Sequence, residues 1–175
     1  MRYHIIKTYT DIENYATLDF EASSLSDRSW PVEVGLSWLD SGEIRTWSSL
    51  IRPAVGWNLS EWSAQSAAIH GIPLESLQDA PPVSKVAEAF LSILAGKVPV
   101  SDAPEFETRW LSRLFEASGL GGRPAVEDYH EVSFAFFSGL ALDMLYETLE
   151  RRPAPHRAGP DSARLAAGWR KALQY

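Results

Sequence analysis

The sequence contains no cysteine in its 175 residues. This absence excludes disulfide bonds, thiolate zinc sites and cysteine nucleophiles. No stretch reaches the roughly 18 consecutive apolar residues of a transmembrane helix. Residues 1–10 contain neither a long apolar core nor a small-residue cleavage site. We therefore expect a cytoplasmic protein that does not associate with a membrane.

Positive charge is also scarce. The chain has 16 Lys and Arg residues against 23 Asp and Glu residues, which gives a net charge of −7. This balance argues against a protein that wraps duplex nucleic acid, because such a protein needs a basic face. It does not exclude a nuclease, since divalent cations neutralise the carboxylates of an acidic metal site. The charge favours short or single-stranded substrates over long duplexes.

Hydrophobic periodicity and turn residues predict one domain that alternates strands and helices. Strands are predicted at 16–22, 31–40, 44–52 and 98–101, and helices at 60–69, 83–95, 104–118, 138–151 and 159–173. Residues 126–132 are ambiguous, with a further strand as one option. This order predicts an α/β domain over 16–175 with a mixed central sheet of about five strands flanked by helices. Residues 1–15 are an N-terminal extension or an additional edge strand.

The first candidate site residues lie on the first of these strands. Asp19 and Glu21 are two residues apart, so they point to the same face while Leu18 and Phe20 point to the other. Two carboxylates on one face repel each other unless a cation lies between them, and hard oxygen ligands suit Mg²⁺ or Mn²⁺. The alternative is a solvent-facing strand with two acids that have no function.

A second acidic residue of interest follows the short strand at 98–101. Glu107 lies in the first turns of the helix that begins near Pro104, and it shares an apolar stripe with Leu111 and Leu114. Acids at helix N-termini also stabilise the helix dipole, which is sufficient to explain Glu105. It explains Glu107 less well, because a carboxylate within an apolar stripe needs a partner.

The third group precedes the last helix. Asp161 lies in the first turn of that helix, on one stripe with Leu165, and His156 lies in the loop before it. A histidine beside an acid cluster titrates near neutrality and can accept a proton from a water molecule. The alternative for His156 alone is an ordinary surface histidine.

Together these segments resemble the motifs of the DEDDh exonucleases, a family of the ribonuclease H-like superfamily. The family pattern reads here as DFE at 19–21, SDAPEFE at 101–107 and HRAGPDSA at 156–163. PVEVG at 31–35 resembles the family's second strand, and IHGI at 69–72 resembles an element that lies near the bound nucleotide. The resemblance spans about 16–173 and implies a ribonuclease H-like fold.

The resemblance implies a 3′→5′ exonuclease that cleaves single-stranded DNA or RNA, including short oligonucleotides, to nucleoside 5′-monophosphates. Two divalent cations, Mg²⁺ or Mn²⁺ about 3.5–4 Å apart, would support hydrolysis. Their ligands would be Asp19, Glu21, Glu107 and Asp161, with Asp19 shared by both cations. His156 would act as general base. Several relatives are homodimers, so a dimer is a further expectation.

The same resemblance nominates residues that contact the substrate, and the chain departs from the family pattern at some of them. The nominated residues are Ser23, Ser24, Leu25, His70 and Asp102. Ser23-Ser24 replaces Thr-Thr or Thr-Gly, which bears on selectivity. His70 could instead hold the end of its helix.

The family's third acid is usually Asp, whereas this chain has Glu107. The extra methylene moves the carboxylate by roughly 1.5 Å. Asp102 is therefore an alternative ligand. A catalytically weakened member that binds nucleic acid or a protein partner without efficient cleavage is the second functional hypothesis.

Overall fold

The computed structural model describes residues 12–175. Five strands form one sheet: β1 Tyr15–Ala22, β2 Pro31–Asp40, β3 Glu43–Leu50, β4 Val98–Ser101 and β5 Glu127–Asp128. The predicted extension or edge strand within residues 1–15 falls mainly outside the described residues. Of that segment, Ile12 is buried in the core and Tyr15 already belongs to β1.

The sheet is mixed, as the sequence predicts. Its strand order is β3-β2-β1-β4-β5. The β1–β2 and β2–β3 pairs are antiparallel, and the β1–β4 and β4–β5 pairs are parallel. The prediction of an α/β domain with a mixed central sheet of about five strands is confirmed.

Within residues 12–175, six α-helices accompany the sheet: α1 Ala64–His70, α2 Val83–Leu94, α3 Pro104–Ser118, α4 Tyr129–Phe136, α5 Leu140–Glu150 and α6 Ala158–Ala172. Two short 3-10 helices flank α1 along the chain: Leu59–Glu61 precedes it and Leu74–Leu77 follows it. Within residues 12–175, no helix is both long enough and apolar enough to cross a membrane.

The helices cover both faces of the sheet. On one face, Leu18 and Phe20 of β1 join the core with Phe90 of α2 and Leu111 of α3. On the other face, α6 packs across β1, β2 and β3, and α5 packs on α6. Side chains alternate along a strand, so the odd-numbered residues of β1, which include Asp19, face α6.

Polar contacts fix α6 to this second face. The Thr17 hydroxyl donates to the Ser162 carbonyl at 2.7 Å, and the Ser37 and Ser162 hydroxyls are 2.9 Å apart. All three residues are buried. Buried polar groups need such partners, so this network determines where the first turn of α6 lies on the sheet.

Two predicted segments differ from the structure. The helix expected at 60–69 begins at Ala64, because Ser63 accepts the capping hydrogen bond from the Ser66 amide while Asn58 caps the 3-10 helix before it. The ambiguous 126–132 segment contains only the two residues of β5 as strand. It continues as α4, where the Asp128 carboxylate accepts hydrogen bonds from the amides of His130 and Glu131.

Three tryptophans form a stack next to α1. The rings of Trp57 and Trp62 each lie 5.8 Å from Trp30, and Trp62 meets the edge of the His70 ring at 5.7 Å. Trp30 is buried, and its indole N–H donates to the Asn58 carbonyl. This supports core packing as the role of that tryptophan.

Candidate active site

Three carboxylates meet where β1 faces the start of α6. One ligand oxygen from each of Asp19, Glu21 and Asp161 lies within 4.8 Å of the other two. The strand places Asp19 and Glu21 side by side, and the first turn of α6 brings Asp161 opposite them. The chain therefore forms a group of oxygen ligands from residues 140 positions apart in sequence.

Glu107 adds a fourth carboxylate from the first turns of α3. Its side chain is buried, and one oxygen accepts a hydrogen bond from the Phe20 amide. The other oxygen, Oε2, is buried and has no hydrogen-bond partner among the described residues. Electrostatic repulsion couples Glu107 to Asp19 and Glu21, although Glu107 lies outside the 4.8 Å group that the described residues form.

Ionising all four carboxyl groups together is unfavourable in free energy. Burial raises the pKa of Asp19 well above its usual value, although part of its surface is open, and the charges of Glu21 and Asp161 raise it further. Burial and nearby acids also raise the pKa of Glu21 to about 7. Burial similarly raises the pKa of Glu107 and of Asp161. A bound cation would offset these costs.

The carboxylates line a cavity of about 370 Å³. Its walls contain all five predicted catalytic residues and three of the predicted substrate contacts: Asp19, Glu21, Glu107, His156, Asp161, Leu25, His70 and Asp102. Three buried side-chain atoms lack a hydrogen-bond partner within residues 12–175, and each belongs to a residue of this wall: His70 Nε2, Glu107 Oε2 and Asp161 Oδ1. Unpaired buried polar atoms are rare, and their presence here indicates a ligand-binding site.

His156 reaches the cavity from the segment between α5 and α6. Its backbone has a φ of 56°, which is uncommon for a residue other than glycine. The Asp161 carboxylate accepts hydrogen bonds from the amides of His156 and Arg157, the latter at 3.1 Å. Asp161 therefore helps to hold the backbone that carries the imidazole.

Glu33 anchors the same segment to the sheet. Its carboxylate accepts hydrogen bonds from Nε and Nη2 of Arg157 at 2.8 and 2.7 Å, and from the Ala158 amide at 3.0 Å. Glu33 is buried on β2 and lies directly opposite Glu21 in the strand register. This contact ties the residue after His156 to the strand beside the acidic cluster.

Gly35 allows α6 to approach β2 closely. It lies opposite Asp19 in the register, and a β-carbon at this position would overlap the carbonyl group of Ala158. Only glycine permits such an approach of backbone to backbone. The distance between Asp19 and Asp161 therefore depends on a residue that has no side chain.

The predicted substrate residues Leu25, His70 and Asp102 border the cavity. Leu25 is 70% exposed, and Asp102 is exposed at the end of β4. His70 Nδ1 accepts a hydrogen bond from the Ile72 amide at 3.0 Å, and the ring also lines the cavity, so its contact with substrate stays a prediction. Burial lowers the pKa of His70, which favours the neutral imidazole.

Ser23 and Ser24 do not line the cavity. The Ser23 hydroxyl is buried and accepts a hydrogen bond from the Trp30 amide at 3.1 Å. The Ser24 hydroxyl contacts that of Ser26 at 3.3 Å. In this structure both serines shape the loop after β1, and their contact with substrate stays a prediction.

Sequence reasoning did not assign roles to Glu33, Arg157, Arg109 or Arg164. Arg109 donates to the Ser26 carbonyl at 3.2 Å and thereby holds the loop after β1, and Arg164 lines the cavity. The role of Glu33 could have been suspected from the sequence, because a carboxylate within an otherwise apolar strand needs a buried partner. The identity of that partner requires the folded chain.

Comparisons by sequence find no relatives: no protein-family model and no curated protein match the chain. Solved structures do match. The nuclease domain of 3′hExo, a DEDDh family member bound to rAMP, has a TM-score of 0.68 and 17% identity, with 91% of each chain covered. Cell-death related nuclease 4 has a TM-score of 0.62 and 16% identity, over 91% of this chain and 63% of the other.

The zinc ion bound form of the E. coli Exonuclease I complex with single-stranded DNA also matches. Its TM-score is 0.65 at 10% identity, over 91% of this chain and 40% of the other. These three proteins are nucleases. At such low identity the matches establish a shared fold, which is the ribonuclease H-like fold of the DEDDh exonuclease domain.

Proposed function

We propose that this chain is a DEDDh-type 3′→5′ exonuclease that depends on divalent cations and hydrolyses the last phosphodiester bond of single-stranded DNA or RNA. The observation that carries the proposal is the convergence of Asp19, Glu21 and Asp161 within 4.8 Å, at a cavity that also contains Glu107 and His156. Nuclease structures with the same fold include complexes with rAMP and with single-stranded DNA.

The side chains fit divalent cations. Their donors are carboxylate oxygens, which suit Mg²⁺ and Mn²⁺, and two of these oxygens are buried without a partner among the described residues: Glu107 Oε2 and Asp161 Oδ1. Asp19, Glu21, Glu107 and Asp161 would hold two such ions. When bound, the ions would supply charge stabilisation for the phosphoryl group during in-line displacement.

His156 would act on the attacking water. The imidazole accepts a proton from that water while the oxygen of the water attacks the terminal phosphorus. The bond from phosphorus to the 3′ oxygen of the penultimate nucleotide then breaks. That oxygen takes up a proton, and the terminal nucleotide leaves as a nucleoside 5′-monophosphate. The fixed backbone of residues 156–158 would keep the imidazole at the cavity.

Apolar and aromatic residues of the cavity would receive the terminal nucleotide. Leu25 and Ile69 are exposed apolar side chains that line the cavity, and the ring of His70 also lines it. These side chains offer apolar and aromatic contact to a base, whereas the carboxylates lie at the phosphate. Asp102 and the loop of Ser23 and Ser24 would border this position.

A direct assay tests the proposal. Pure protein with Mg²⁺ or Mn²⁺ should release nucleoside 5′-monophosphates from 3′-labelled single strands of DNA or RNA, and a 3′-phosphate block should stop release. His156→Ala should lower kcat by about 10²–10⁴-fold, the usual contribution of a general base, and leave Mn²⁺ binding by calorimetry within a few-fold. His130→Ala is the matched control, because His130 contacts Tyr146 away from the cavity.

The proposal would be contradicted if neither DNA nor RNA released mononucleotides with Mg²⁺ or with Mn²⁺. A loss of activity in His130→Ala equal to that in His156→Ala would remove the catalytic role of His156. Failure of the protein to bind two Mn²⁺ with nucleotide present would support the second hypothesis, a member that binds without efficient cleavage.

A further inference from the structure

A second cavity of about 370 Å³ lies between the C-terminal end of α5 and the second half of α6. We call it the α5–α6 groove. Four cationic side chains line it: Arg151, Arg152, Arg170 and Lys171. The whole chain has only 16 Lys and Arg residues and a net charge of −7. A quarter of its positive side chains therefore border one groove.

Three of these four cations have no acidic partner among the described residues. Arg151 pairs with Glu147. Among the described residues, the Lys171 ammonium contacts the neutral oxygens of Gln174 and Tyr175, each at 3.2 Å, and lies over the Tyr175 ring. Within residues 12–175, the guanidinium groups of Arg152 and Arg170 form no ion pair. The groove thus carries positive charge that remains available to an anion.

The groove begins next to the candidate active site. Arg164 lines the active-site cavity, and its guanidinium donates to the carbonyls of Arg152 and Leu149 at 2.6 and 3.0 Å. The segment between Arg152 and His156 therefore joins the two cavities. From Asp161 the groove side of α6 extends to Lys171, about 15 Å along the helix.

This charge distribution matters because the rest of the protein is acidic. A polyanion approaching such a surface is repelled unless a local positive region lies on its path, and charges act over roughly 8–10 Å at physiological salt. A groove of unpaired cations that starts at the cavity supplies such a region. A single nucleic acid strand with its 3′ end at the carboxylates can reach it.

We propose that the α5–α6 groove binds the sugar–phosphate backbone of the substrate strand upstream of its 3′ end. The proposal rests on the proposed function for its choice of polyanion. In this proposal the groove increases the affinity for long strands and takes no part in the chemical step. Short substrates, which end before the groove, bind without it.

Binding in EDTA tests the groove without any cleavage. The probes are a 12-nucleotide strand and a dinucleotide, each labelled with 5′-fluorescein. Fluorescence anisotropy measures their binding between 50 and 200 mM salt. The test variant neutralises three cations: Arg152→Gln, Arg170→Gln and Lys171→Gln. The control variant has the same net charge but changes cations that do not line the groove: Lys85→Gln, Lys97→Gln and Arg123→Gln.

In the test variant we expect the Kd for the 12-nucleotide strand to rise about tenfold or more, and the slope of log K against log salt to fall by about 2 for three lost phosphate contacts. The dinucleotide Kd should stay constant in the test variant, and both Kd values should stay constant in the control. Thermal melting should show that all proteins are folded.

Three results would overturn the proposal. One is an unchanged Kd for the 12-nucleotide strand in the test variant. Another is an equal loss in the control variant, which would assign the effect to net charge. The third is that polyglutamate binds as tightly as the strand with the same dependence on the three cations, which would identify the groove as a site for acidic proteins. If the strand bound through the groove as expected but no nucleotide were released with Mg²⁺ or Mn²⁺, the exonuclease function would be contradicted and the groove proposal would stand.

Discussion

The carboxylate of Glu33 holds the guanidinium of Arg157 in a two-bond contact, with distances of 2.8 and 2.7 Å. These residues are 124 positions apart, and neither lines the candidate active site. Glu33 also accepts the Ala158 amide, so one side chain fixes the start of α6. The contact positions His156 and Asp161 on either side of it.

Glu33→Gln should therefore lower kcat by about 10–100-fold, as is usual when a residue that orients metal ligands is lost. It should also weaken Mn²⁺ binding, because Asp161 would move. The melting temperature should fall modestly, since the side chain of Arg157 is 45% exposed. Steady-state kinetics and calorimetry measure these effects.

The control for this variant is Glu88→Gln, which removes a carboxylate from the exposed pair with Lys85. It should change neither kcat nor Mn²⁺ affinity. If Glu33→Gln lowered the melting temperature but left both quantities intact, Glu33 would stabilise the fold without positioning the site.

The acidic cluster predicts how stability depends on pH without metal. The folded protein raises the pKa of Glu21 from 4.5 to about 7, so between these values it binds more protons than the unfolded chain. Stability is therefore greatest, for this group, below pH 4.5 and falls as pH rises to 7. The raised pKa values of Asp19, Glu107 and Asp161 act in the same direction.

Thermal melting in EDTA from pH 5 to pH 8 should show this decrease. Mn²⁺ should raise the melting temperature more at pH 8 than at pH 5, because ionised carboxylates bind the cation. Glu21→Gln should weaken the dependence on pH. A melting temperature in EDTA that increased over the same range and did not respond to Glu21→Gln would contradict the prediction.

A third prediction separates Glu107 from Asp102 as the remaining metal ligand. Glu107 has a buried oxygen to which no residue of the described range 12–175 donates, whereas Asp102 is exposed to water. Glu107→Gln should lower kcat and Mn²⁺ affinity by about 10²-fold or more. Asp102→Asn should change both by only a few-fold. The reverse order, measured in the same assays, would assign the ligand to Asp102.

Glu107→Asp tests the weakened-enzyme hypothesis in the same series. Shortening the side chain withdraws the carboxylate by roughly 1.5 Å. A rise in kcat would show that Glu107 holds its cation away from the best position. A fall would show that the site is built around the longer side chain, which the hydrogen bond from the Phe20 amide favours.

The parts of the fold with regular local patterns could be predicted from sequence. The strand predicted at 31–40 and the Pro104 and Gly119 boundaries of α3 agree with the structure. The site carboxylates were also predictable, because strand and helix periodicity determine which side chains share a face. The structure brings all four to one cavity with His156.

Other features depend on contacts between distant segments. The partnership of Glu33 with Arg157 and the need for glycine at Gly35 both arise only when α6 packs on β2. Helix α4 was missed because Val132, Phe134 and Phe136 alternate with other residues, as they would in a strand. The cap at Asp128 nevertheless starts a helix at Tyr129–Phe136. Local propensity cannot supply such information.

The stacked indoles beside His70 give the protein an optical signal of its own. Trp62 contacts the imidazole that lines the cavity, and Trp110 lines the cavity directly. A nucleotide bound in the cavity would alter the surroundings of a fluorophore already present in the chain. Intrinsic emission can therefore follow occupancy in real time, on unlabelled protein and with unlabelled nucleic acid.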